Sequence, residues 1–91
     1  MKKDNLILEK TFDFALSIIE LYKITTEQKE YVLSKQILRS GTSIGANTEE
    51  AIAAHSRKDF AAKMIIASKE ARETQYWLRL LQKSCLVKLE F

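Results

Sequence analysis

The chain of 91 residues contains no proline and only two glycines. Average usage would supply about 5% proline and about 7% glycine. These residues punctuate turns, so a chain nearly without them has few turns to make. β-Sandwiches, barrels and βαβ units need frequent tight turns and are excluded. Collagen-like, low-complexity and disordered chains are excluded by a hydrophobic content of 46%. A single cysteine, Cys85, leaves no intrachain disulfide and no cysteine-based metal site; its thiol is expected to be inert and partly buried. No run approaches the roughly 18 apolar residues of a membrane span. The charged start Met1-Lys2-Lys3-Asp4 is unlike a secretory leader, and a cytoplasmic location is expected.

What remains is one small domain, residues 1–91, made of a few long helices. A domain near this size buries roughly 60–65% of its unfolded surface, and small helical domains often gain stability by self-association. Fifteen basic and twelve acidic residues give a net charge of +3, which admits an anionic partner without requiring one.

Apolar spacing predicts three helices, at about 5–24, 27–55 and 57–84. In the first, with Asp4 or Asn5 as cap, two stripes run side by side: Ile7, Thr11, Phe14, Ile18, Leu21 and Leu8, Phe12, Ala15, Ile19, Tyr22. Together they are wider than one packing seam needs. Glu9, Asp13 and Glu20 form an acidic face elsewhere on the same helix. A turn at Thr25-Thr26 follows, with Thr26 as the cap of helix 2.

Gly41 and Gly45 invite a loop in helix 2, and Asn47-Thr48-Glu49-Glu50 even reads as a capping box. The spacing of Leu33, Ile37, Ser40, Ile44, Asn47, Ala51 and Ala54 nevertheless runs through both glycines unbroken. One continuous helix is therefore expected, at about 1 kcal/mol per interior glycine. The glycines lie on the stripe Leu38, Gly41, Gly45, Thr48, Ile52, whose small middle lets another helix approach closely. Helix 3 opens with the Ser56-Arg57-Lys58-Asp59 capping signal. Its seam is Phe60, Met64, Ala67, Ala71, Thr74, Leu78, Leu81, with Ala67 and Ala71 as small close-packing positions. The seams of helices 2 and 3 are expected to pack antiparallel near 20°. The tail Cys85–Phe91 is apolar but too short for a full helix.

Beside the seam of helix 3 runs Ile66, Glu70, Glu73, Trp77, Leu80. Two carboxylates among bulky apolar residues need partners if buried. Arg39 is the candidate, with Ser40, Ser43 and Asn47 able to add hydrogen bonds. The pair could serve a ligand or acid–base site, or a polar network that fixes helix register. No nucleophile and base surround it, so we read Arg39, Ser40, Ser43, Asn47, Glu70 and Glu73 as a structural network and the chain as a non-enzyme. Glu49 and Glu50 are not in Glu-x-x-His spacing with His55, so no di-metal motif is present. No cofactor, metal or small-molecule substrate is expected.

The last stripe of helix 3 is Lys69, Arg72, Tyr76, Arg79, Lys83: four cations and one aromatic on a single face. Cations neutralise phosphates, and tyrosine stacks on an unpaired base. A solvated charged face, or pairing with Glu9, Asp13 and Glu20 of helix 1 within or between chains, would give the same pattern. Residues beside the stripe are committed to packing, which argues against a membrane-surface role.

Two blocks carry a family resemblance: SKQILRSGTSIGAN at 34–47 with Glu49-Glu50-Ala51, and SRKDF at 56–60 followed by KEARETQYWLRLL at 69–81. They resemble the bacterial four-helix-bundle family whose founding members are encoded by intervening sequences within 23S ribosomal RNA genes. The resemblance implies an all-α, antiparallel up-and-down bundle and, as in several members, a ring-like homopentamer. It includes relatives of retroelement accessory proteins, which implies nucleic-acid binding, RNA or DNA, through a basic surface. It implies no enzymatic activity. Members usually continue past the position of Leu86 into a fourth helix, which is short or missing here. The wide apolar surface of helix 1 would then be left for self-association. A structural or protein-interaction module without a nucleic-acid ligand is the alternative.

Overall fold

Helix-favouring residues and the want of breakers carry the first helix further than its polar caps suggest. The computed structural model describes residues 2–89, and only the backbone of Lys2, Lys3 and Asp4. It contains three helices, α1 (Lys2–Glu27), α2 (Leu33–Ile52) and α3 (Arg57–Ser84), and no strand among the described residues.

The first expected boundaries need correction. Asp4 and Asn5 lie inside α1 rather than capping it, since Lys2 and Lys3 are themselves good helix formers. Thr25 and Thr26 belong to the last turn of α1. Their hydroxyls donate back to the Tyr22 carbonyl at 3.0 and 2.8 Å, which lets both threonines stay helical. The helix stops at Lys29, which adopts a left-handed φ of 65°. Glu30 N–H donates to Thr25 O at 3.0 Å and Lys29 N–H to Thr26 O at 2.9 Å. This 6→1 and 5→2 pair is a Schellman stop.

Helix α2 accordingly begins at Leu33, not near Glu27, and ends at Ile52, not His55. Val32 holds the N-cap position, and the capping side chain is that of Glu30 rather than Thr26. The Glu30 carboxylate accepts the N–H groups of Val32, Leu33 and Ser34 at 3.0, 3.1 and 2.7 Å. Burial of this carboxyl works against its charge, but the three backbone donors outweigh burial and hold its pKa below the usual glutamate value. Between Leu33 and Ile52 the helix is unbroken through both glycines. Helix α3 keeps its expected bounds, with Ser56 Oγ accepting Asp59 N–H at 3.1 Å. It ends at Cys85, in a left-handed conformation (φ 56°). The thiol is exposed rather than partly buried.

Antiparallel packing is visible in the paired positions. Gly41 faces Ile18 and Gly45 faces Thr11, so numbers rise on α2 as they fall on α1. Arg39 meets Glu70 and Glu73, and Glu50 meets Lys63, giving the same sense for α2 and α3. A Cβ at Gly41 would stand 2.8 Å from Ile18 Cγ1, and one at Gly45 would stand 3.3 Å from the Thr11 carbonyl oxygen. Glycine is what lets α1 and α2 approach this closely. Ser40, completely buried, meets the Thr74 hydroxyl of α3 at 2.8 Å.

Helix α2 is the shared member: it packs on both α1 and α3, while no Cα of α1 lies within 8 Å of one in α3 among the described residues. Ile18, Ile37, Leu81 and Val87 form the core, with Leu21, Leu33, Leu38, Trp77, Leu78 and Leu89 packed against it. The tail after Cys85 is not helical, yet it closes the end of the fold. Val87 is buried, and Gln28 bonds both backbone groups of Lys88. A groove of about 380 Å³ remains between α1 and α3, walled by Ile18, Leu21, Leu78, Leu81 and Leu89. On α1, Phe12 is 58% exposed and Leu16 and Ile19 are exposed too.

Candidate nucleic-acid interface

Twenty-eight helical residues give α3 several complete faces. Ala67, Thr74 and Leu81 recur every seven residues and are buried against α2. The face opposite that seam follows from the 3.6-residue turn. Lys69, Arg72, Tyr76, Arg79 and Lys83 fall there, and all five are exposed. Among the described residues none of the four cations forms an ion pair. Pairing with the acidic face of α1 within the chain is overturned: among the described residues no carboxylate of α1 meets a cation of α3, and Glu20 pairs with Lys23 of its own helix at 3.0 Å.

The carboxylates beside this face are occupied. Arg39 reaches across from α2 to Glu70 at 3.3 Å and to Glu73, and Gln36 Oε1 accepts from the same guanidinium at 3.2 and 3.3 Å. Glu73 also accepts the Trp77 indole N–H at 3.1 Å. This network is partly open to solvent, with the Arg39 side chain 50% exposed. Ser40 joins the packing through Thr74. Ser43 and Asn47, expected to add hydrogen bonds to the carboxylates, instead donate to the carbonyls of Ser40 and Ser43 at 3.2 and 2.9 Å. A bond to the preceding turn is geometrically nearer than one across the helix interface. Ala67 is buried as a close-packing position needs, whereas Ala71 is exposed, because α1 does not reach that side of α3.

Sequence spacing did not single out Gln36, nor the contact of Trp77 with Tyr76. Their ring centroids lie 5.2 Å apart at 66°, edge to face. The Glu73-x-x-x-Trp77 spacing carried the signal for the indole bond, since residues four apart meet on a helix. Both carboxylates are engaged by Arg39. Among the described residues no three His, Cys, Asp or Glu side chains converge as metal ligands would, and no helix is long and apolar enough to cross a membrane.

Three helices in antiparallel sequence, an unbroken central helix with glycine contacts and a cationic third helix define a small all-α bundle protein. The family description "23S rRNA-intervening sequence protein" matches residues 3–90, and the chain belongs to that family. It is similar to a crystal structure of a protein of unknown function from the S23 ribosomal protein family of Bacteroides thetaiotaomicron, with 56% identity and a TM-score of 0.89. The match covers 94% of this chain and 78% of that one. No curated protein matches the chain.

Proposed function

We propose that this chain is a non-catalytic bundle protein of the cytoplasm that binds RNA or DNA through the outer face of α3. The observation that carries the reading is the run Lys69, Arg72, Arg79 and Lys83: four exposed cations on one face, none in an ion pair among the described residues. A straight row of cations follows a phosphate backbone and releases its counterions on contact. Four such contacts give an affinity that falls with salt at a log–log slope of about −3 to −4. Fluorescence anisotropy with labelled oligonucleotides at low salt tests this. Wild type binds with that salt dependence, and Arg72→Glu with Arg79→Glu abolishes binding. Unchanged binding by the double reversal, or no binding at low salt, defeats the proposal.

A second reading, compatible with the first, is self-association into a homo-oligomer. It is supported by the apolar stripe of α1 that no helix among the described residues covers, with Phe12 and Ile19 exposed on it. The separation of α1 from α3 across α2 is the diagonal relation of a four-helix bundle, and a helix from a second copy would complete that square. Light scattering gives a multiple of 10.5 kDa, five-fold for a pentamer, which Phe12→Ser with Leu16→Ser reduces. A monomer at every concentration defeats this reading and leaves the nucleic-acid proposal standing.

A further inference from the structure

Tyr76 is the one aromatic residue on the cationic face of α3, and its ring makes an edge-to-face contact with Trp77. The side chain is 53% exposed, while one edge contact ties it to Trp77, with centroids 5.2 Å apart. Trp77 packs against the core and donates its indole N–H to Glu73, and Glu73 is held in turn by Arg39 of α2. A chain of contacts thus runs from the surface ring to the central helix. One turn further along, Arg79, Leu80 and Lys83 join Tyr76 in lining a shallow concavity of about 150 Å³. Its lining thus combines one aromatic ring, one leucine and two cations.

Phosphates alone would require only the cations. A duplex keeps its base faces inside the stack and offers an outward ring nothing to cover. A single strand presents those faces, and every base can stack on an aromatic ring. We propose that Tyr76 is a pre-positioned stacking platform for an unpaired base, with Arg79 and Lys83 on the flanking phosphates, so that this face prefers single-stranded over duplex nucleic acid. Arg39, Glu73 and Trp77 are positioning residues for the ring. The inference rests on the reading of the cationic face as a nucleic-acid interface.

Anisotropy titrations at one fixed low salt concentration test it with labelled single-stranded RNA, single-stranded DNA and duplex DNA, each about 20 nucleotides long, enough for one single-strand site. Wild type binds a single strand more tightly than the duplex. Tyr76→Ala weakens single-strand binding by roughly five-fold or more, the Boltzmann equivalent of one lost stack, and leaves duplex binding unchanged. Tyr76→Phe retains the preference because the ring remains. Trp77 is the sole tryptophan, and its fluorescence changes on single-strand binding in wild type but not in Tyr76→Ala. Preference for RNA, for DNA, or for both single strands alike supports the proposal. Equal weakening on all three nucleic acids by Tyr76→Ala, or no change on any, overturns the platform while the cationic interface stands. Failure of wild type to bind any of them overturns both.

Discussion

Gln28 and Lys88, sixty positions apart, are joined by a reciprocal pair of hydrogen bonds: Gln28 Nε2 donates to Lys88 O at 2.8 Å, and Lys88 N–H donates to Gln28 Oε1 at 2.7 Å. One carboxamide satisfies both main-chain groups of the tail residue, as a strand partner would. The pair fixes the tail between the buried Val87 and the core-packed Leu89. Gln28→Ala removes both bonds. Because the site is exposed, the expected cost is about 1 kcal/mol in thermal or urea unfolding. Hydrogen exchange at the Lys88 amide accelerates in the same variant. A melting curve and exchange rate unchanged from wild type would show that the tail is held by Val87 and Leu89 alone.

Gly41 and Gly45 respond differently to alanine. At Gly41 the added Cβ meets Ile18 Cγ1 and Cγ2 at 2.8 and 3.0 Å. Those atoms lie close to the backbone of a buried, β-branched residue and cannot swing aside. Gly41→Ala is expected to destabilise by about 1–3 kcal/mol from overpacking, less the helix-propensity gain of up to about 1 kcal/mol. Gly45→Ala, at 3.3 Å from the Thr11 carbonyl, falls within about 1 kcal/mol of wild type because the two effects are similar in size. Ile18→Ala combined with Gly41→Ala costs less than the sum of the single changes. Equal effects at the two glycines would contradict the closer approach of α1 at Gly41 than at Gly45.

Lys29 occupies the left-handed position of a Schellman stop, where glycine carries no steric penalty. Lys29→Gly is expected to stabilise the protein by about 0.5–1 kcal/mol, the left-handed strain of an L-residue less the added freedom of the unfolded chain. Lys29→Val is expected to destabilise it, since a β-branched residue resists that conformation most. Urea midpoints at constant slope read both directions.

Glu30 makes the start of α2 sensitive to acid. Its folded-state pKa is depressed below the ordinary glutamate value, so the native state binds its proton less readily than the unfolded chain. The resulting stabilisation is complete above that unfolded value and is lost as pH falls through the folded one. Glu30→Gln keeps one carbonyl acceptor but no charge. It is expected to be less stable than wild type at pH 7 and to converge on it as pH falls through the depressed folded-state value. A stability difference constant from pH 7 to 3 would mean that the carboxylate charge contributes nothing.

The third helix was legible end to end, because both of its signals are local: the Ser56/Asp59 cap and a heptad of apolar and small residues. The continuity of α2 through Gly41 and Gly45 was legible because apolar phase survives only in an unbroken helix. The α1–α2 turn was not, since Lys29 takes the backbone conformation that composition assigns to glycine, and the cap comes from a glutamate reaching three amides ahead. Arg39 with Glu70 and Glu73 could be read from charge at facing positions. Ser43 and Asn47 could not, because their own helix offers nearer acceptors. The Gln28–Lys88 tie has no local signature at all.

The place of α2 between its neighbours governs how the chain acquires its fold. Among the described residues the helices whose backbones approach closely are consecutive in sequence, α1 with α2 and α2 with α3, so mean loop closure is short and folding is expected in the microsecond-to-millisecond range of local-contact proteins. The tail is the exception, since its partner Gln28 lies sixty residues back. Contacts closing so long a loop form late, after the helical hairpins have met. Loosening that tie therefore accelerates unfolding and leaves the folding rate nearly untouched.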